Sequence, residues 1–128
     1  MVNLYTITQL TREFDISTRT LRFYEDEGLI RPERRGRTRL YTGADRRRID
    51  KILCARRVGF SVAEIAEMLK LQVELPDTTN QLRGVMDGIE KKRADLRQQR
   101  RDLELVIDDL DNLEDSCLAK LAEIGVGT

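Results

Sequence analysis

The sequence contains no histidine and no tryptophan, and it has only two prolines and two cysteines in 128 residues. Without histidine there is no imidazole base, and the Ser, His and Asp set of a hydrolase is missing. No GxxxxGK[ST] loop is present to cradle a nucleotide phosphate. Enzymatic chemistry is therefore not expected, and neither is a cofactor. Cys54 and Cys117 lie 63 positions apart and form no CxxC pair, which argues against a disulfide framework or a zinc knuckle. No apolar run approaches the roughly 18 residues of a membrane span, and no charged-then-apolar leader opens the chain. A cytoplasmic protein without membrane contact is expected.

Aromatic residues are scarce too. The three Tyr and three Phe all fall between Tyr5 and Phe60, and two of them, Phe23 and Tyr24, are adjacent in the stretch TLRFYEDEGLIRP. Whatever that pair does belongs to the N-terminal half. Charge divides the chain at the same place. Residues 1–60 carry 14 Lys and Arg against 8 Asp and Glu, and residues 61–128 carry 9 against 15, so a basic front balances an acidic back. Such a split suits a chain whose front approaches a polyanion.

Helix signals are dense in the front half. Thr6-Ile7-Thr8-Gln9 is a capping-box pattern, which predicts a short helix ending near Phe14. Asp15 and Ile16 make a turn, and Ser17 can cap a second helix from Thr18 to about Glu27 that stops at Gly28. Two short helices joined by about three residues predict a helix-turn-helix. Pro32 and Gly36 interrupt the next stretch, and Arg39-Leu40-Tyr41-Thr42 has strand character, so a small two-stranded wing is expected. Helix resumes near Ala44 and runs to about Val58. Ser61-Val62-Ala63-Glu64 is a second capping box, opening a helix that should turn Ile65, Met68 and Leu69 inward.

After Pro76, with Asp77 as the expected cap, apolar residues recur at Leu82, Ile89, Leu96, Leu103, Leu110, Cys117 and Ile124, every seventh place. The companion series Val85, Lys92, Gln99, Val106, Leu113 and Lys120 is mixed. This pattern predicts a coiled-coil helix from Thr78 to about Asp115, buried against a second copy along Leu82, Ile89, Leu96, Leu103, Val106, Leu110 and Leu113. The run Asp102 to Asp115 has seven acidic and no basic residues, a solvated face. The fold class expected is mainly α: a winged helix-turn-helix over residues 1–75, then a dimerisation helix and short C-terminal segment over residues 76–128.

The second helix carries the clearest chemistry. Thr18, Arg19, Arg22 and either Phe23 or Tyr24 place a hydroxyl, two cations and an aromatic along one side, with Leu21 inward. Arginine bridges guanine edges or clamps phosphate, and a Tyr hydroxyl can bond phosphate. The wing adds Arg34, Arg35, Arg37, Arg39 and Tyr41, and Arg56 and Arg57 flank the third helix. Either one ring of the Phe23-Tyr24 pair is core and the other touches DNA, or both are core.

These residues together carry a resemblance. Tyr5-Thr6-Ile7 with Gln9-Leu10, then STRTLRFYE from Ser17, Gly28-Leu29-Ile30-Arg31-Pro32, Arg39-Leu40-Tyr41, and Gly59-Phe60-Ser61 with Glu64-Ile65 resemble the MerR family of transcriptional regulators. The resemblance covers about residues 5–70. It implies a homodimer whose long helices pair as an antiparallel coiled coil, binding double-stranded promoter DNA at a palindrome. It also implies RNA polymerase on the same promoter, with a small effector making the dimer distort the DNA. By position, Thr18, Arg19, Arg22, Phe23 and Tyr24 match the recognition helix and Arg37, Arg39 and Tyr41 the wing; Arg57 is a further expected DNA contact. Asp15 stands where the family usually has glycine, which suggests a different first turn. Thr38 stands where an aromatic often precedes the wing arginine.

The effector is less legible. REFD (Arg12 to Asp15), RFYEDEGL (Arg22 to Leu29) and ILxxxRxGFS (Ile52 to Ser61) resemble MerR regulators of branched-chain amino acid and fatty acid breakdown, implying an acyl-CoA or related acid. Cys54 instead resembles the single cysteine of a subgroup responding to aldehydes or nitrosative stress. It projects about 140° from the Ile49, Ile52 and Leu53 stripe at ~100° per residue, with Lys51 and Arg57 nearby to favour thiolate. Cys117 is alone at a heptad core position, so no metal site is expected. A coiled-coil protein-interaction module and a non-regulatory architectural DNA protein are the competing classes.

Overall fold

The computed structural model describes residues 3–125, and the last three residues of the expected C-terminal segment lie outside it. The elements run β1 (Leu4–Thr6), α1 (Ile7–Phe14), α2 (Thr18–Asp26), β2 (Glu33–Arg35), β3 (Thr38–Thr42), α3 (Gly43–Arg57), α4 (Val62–Val73) and α5 (Thr79–Ile124). They form two units that divide between Pro76 and Asp77.

Local chemistry places most of the first unit. Thr6 caps α1 in a full capping box, its hydroxyl accepting from the Gln9 amide while the Gln9 side chain accepts from the Thr6 amide. Ser61 and Glu64 repeat that arrangement at α4. Thr42 and Asp45 make a third box that starts α3 one residue earlier than expected. Asp15 ends α1 at φ 53°, ψ 51°, the left-handed conformation. Aspartate tolerates that region better than most residues, so it occupies the glycine place without abolishing the turn. Ser17 then caps α2, accepting from the Thr20 amide at 3.0 Å.

The wing is larger than the sequence suggested. β2 and β3 form the expected hairpin around Gly36, with Arg34 opposite Arg39, but β1 adds a third antiparallel strand on the other side of β3. Tyr5 pairs with Tyr41 in that register. Leu10, Leu21, Leu29, Ile30, Tyr41, Ile49 and Ile52 are the most deeply buried side chains, so one core joins both helices of the helix-turn-helix to the sheet and to α3. Ile65 of α4 is buried as expected, whereas Met68 is 38% exposed.

The second unit is the single helix α5. Its cap is Thr78 rather than Asp77, because the Thr78 hydroxyl accepts from the Gln81 amide. The helix runs past Asp115 to Ile124, where Gly125 closes it in the left-handed conformation. Its 46 residues span about 69 Å at ~1.5 Å per residue. None of them is buried in the single chain. Leu82 and Leu96 are half-buried, while Ile89, Leu103, Val106, Leu110 and Leu113 are exposed.

Candidate nucleic-acid interface

The outer side of α2 is set by which residues its packing consumes. Leu21 and Tyr24 are buried against the rest of the unit. Arg19, Arg22 and Phe23 remain exposed, and Thr18 is half-buried in the first turn. Arg19 and Phe23 are four residues apart, as are Thr18 and Arg22, so each pair shares a strip of helix surface. Neither Arg19 nor Arg22 is in an ion pair among the described residues.

Burial limits one expected contact and corrects another. Tyr24 is 5% exposed and lines a shallow depression with Arg19 and Phe23, whereas Tyr41 is fully buried and its ring is not presented to a ligand. Tyr41 sits in β3 where the strand faces α3, and strand alternation turns it inward. Its hydroxyl has no hydrogen-bond partner among the described residues. Burial first, and then the Glu25 carboxylate, push that phenol above its ordinary ionisation range.

The wing presents its arginines unequally. Arg35 and Arg37 are exposed and make no ion pair among the described residues. Arg34 and Arg39 both turn to Glu25 of α2, with Nη2 of Arg34 3.2 Å and Nε of Arg39 3.1 Å from Oε2. The Arg39 side chain is only 21% exposed. Glu25 did not stand out in the sequence, because its partners lie 9 and 14 residues away.

Arg57 is exposed on α3, but it is Arg56 that lines a shallow depression of about 310 Å³ together with Arg19, Phe23 and Val62. Nη1 of Arg56 donates to the Phe60 carbonyl at 3.0 Å, tying the end of α3 to the turn before α4. A second, larger groove of about 450 Å³ runs between α3 and α4. Exposed Arg47, Arg48 and Lys51 lie along it beside buried Ile52 and Ile65. Cys54 is exposed on α3 and Cys117 on α5, both as free thiols.

The family model "MerR HTH family regulatory protein" matches residues 5–72, the span that holds the helix-turn-helix and the wing. A second family model, "MerR, DNA binding", matches residues 46–113. The chain belongs to the MerR family. It is a DNA-binding transcriptional regulator of the MerR type.

Individual MerR relatives agree over most of the chain. The HTH-type transcriptional regulator ZntR of Escherichia coli K12 is 30% identical over 113 residues, covering 82% of this chain and 79% of that protein. The mercuric resistance operon regulatory protein of Shigella flexneri is 31% identical over 121 residues, covering 93% and 81%. The fold is also that of HiNmlR, a MerR family regulator lacking the sensor domain, solved bound to promoter DNA. There the TM-score is 0.63 at 23% identity, over 96% of each chain. The N-terminal part of the Bacillus subtilis multidrug transporter activator, MtaN, matches with a TM-score of 0.52 at 27% identity, over 85% of this chain and 96% of that one.

Proposed function

We propose that this MerR regulator acts as a homodimer on a palindromic promoter, each α2 entering the major groove of one half-site and each wing lying on the adjoining backbone. The observation that carries this reading is the set of exposed arginines in no ion pair among the described residues, Arg19 and Arg22 on α2 and Arg37 in the wing, beside exposed Phe23. On α2 they have the donor geometry for guanine edges and phosphates, and in the wing for phosphates. The apolar stripe of α5 supports the dimer: Ile89, Leu103, Val106, Leu110 and Leu113 are left exposed by one chain and would be covered by antiparallel pairing of two.

RNA polymerase would share the promoter, with an effector biasing the dimer between states that bend the DNA differently. For the effector we propose an acyl-CoA or a related acid. The α3–α4 groove supports that class, since Arg47, Arg48 and Lys51 suit anionic groups and Ile52 and Ile65 an apolar tail. The exposure of Cys54 favours a second reading, thiol sensing of aldehydes or nitrosative stress. Cys54→Ser that leaves every inducer response intact would remove that second reading. The names of several relatives concern heavy metals. Among the described residues of this chain, no three His, Cys, Asp or Glu side chains gather where an ion would sit.

The test is binding of the purified protein to the DNA upstream of its own gene, against a scrambled duplex, across a salt series. Preferential binding that weakens steeply with salt is expected. Equal weak binding to both duplexes would leave a distant operator or an architectural role, and no binding at low salt would favour a protein-interaction module.

A further inference from the structure

Arg34 of β2 and Arg39 of β3 are directly opposed across the wing hairpin. Like charges at such a position repel. The structure resolves the conflict with one carboxylate from a different element. Both Glu25 oxygens lie within 3.3 Å of Nη2 of Arg34 and of Nε of Arg39, and the Glu25 side chain is only 13% exposed. Glu25 is in the last turn of α2, three residues after Arg22. One acid on the recognition helix therefore holds both strands of the wing hairpin.

We propose that Glu25 is a positioning residue for DNA recognition, fixing the wing relative to α2 and withholding Arg34 and Arg39 from phosphate. This inference rests on the promoter-binding reading above. A dimer that must place two helices and two wings in register loses selectivity if each wing can swing, because mis-set wings still find phosphate anywhere along a duplex. Phosphate contact by the wing then falls to Arg35 and Arg37, which have no acidic partner among the described residues. Glu25 thus trades raw electrostatic affinity for geometry. Its loss strengthens binding to any duplex while weakening the preference for the correct one.

The experiment measures binding of the full chain, wild type, Glu25→Gln, Arg34→Gln and Arg37→Gln, to its own upstream duplex and to a scrambled duplex across a salt series. Thermal melting checks that each variant is folded. Glu25→Gln is expected to steepen the salt slope on both duplexes by about one to two units, as each of the two freed arginines that reaches phosphate adds roughly 0.9, and to lower the preference for its own duplex by about threefold or more. Arg37→Gln should flatten the slope by about one unit, whereas Arg34→Gln should leave it unchanged. A Glu25→Gln protein with wild-type slope and preference overturns the proposal. So does Arg34→Gln flattening the slope as much as Arg37→Gln, a comparison that decides the matter even if Glu25→Gln does not fold. If wild type shows no preference for its own duplex, the promoter reading fails separately, and the slopes on scrambled DNA still test whether Glu25 holds the two arginines.

Discussion

Phe23 and Tyr24 are neighbours in α2 with ring centroids 6.2 Å apart, yet one is 46% exposed and the other 5%. A helix turns about 100° per residue, so adjacent side chains leave in different directions. Tyr24 points with Leu21 into the core, and Phe23 stays outside beside Arg19 and Arg56. The two truncations should then separate. Tyr24→Ala should cost about 3–5 kcal/mol of stability, in the range for a large core aromatic. Phe23→Ala should change stability by less than about 0.5 kcal/mol while weakening operator binding roughly fivefold, about 1 kcal/mol. Denaturant melts and anisotropy titrations of both variants check this.

The Tyr41 hydroxyl is buried without a hydrogen-bond partner among the described residues. An unsatisfied buried donor is costly, and removing it while keeping the ring relieves that cost. Tyr41→Phe should leave operator affinity unchanged and stability equal to wild type or higher by up to about 1 kcal/mol. A loss of affinity with unchanged stability would instead return Tyr41 to the DNA-contacting set.

Arg46 of α3 ties the first helix to the third. Its Nε donates to Oε1 of Glu13 at 2.8 Å, Nη2 donates to Oε2, and its guanidinium lies about 6 Å from the ring centres of Tyr5 and Phe14. The hydrogen bond from Arg46 holds the Glu13 carboxyl below its ordinary value of 4.5. A depressed carboxylate contributes stability that is fully present above the unfolded value and is lost as pH falls through the folded one. Glu13→Gln should therefore flatten the fall in melting temperature below about pH 4.5, with little change in that slope near neutrality. Arg46→Lys should not substitute, since an ammonium lacks the planar fork that engages both oxygens.

Leu103 and Leu110 lie one heptad apart on α5 and are 56% and 59% exposed in one chain. If they form the seam of a dimer, replacing both with lysine removes the apolar contact and places charges in it. At ~2 kcal/mol for each buried leucine, the dimer dissociation constant should rise by well over a hundredfold. Sedimentation equilibrium should report a monomer, circular dichroism should show retained helix, and anisotropy titration should show lost operator affinity.

Much of this was legible before any fold was known. The caps at Thr6, Ser17 and Ser61 rest on hydrogen bonds reaching three residues, so the residues that make them are neighbours in sequence. The helix α5 runs beyond the expected end near Asp115 to Ile124, the last residue of the heptad stripe. The third strand was missed. Leu4–Thr6 is only three residues long, and it is a strand because Tyr41, 36 positions away, is its partner.

The sequence by itself determined the order of helices, the breaks at Gly28 and Gly59, the heptad stripe and the basic front half, since each depends on local hydrogen bonding, backbone conformation or composition. Tertiary structure alone decided that Tyr24 and Tyr41 are core, that Phe23 is surface, and that Glu25 holds Arg34 and Arg39. Those outcomes depend on which faces meet across segments far apart in the chain. Burial and ion pairing are properties of that meeting, and no single segment contains them.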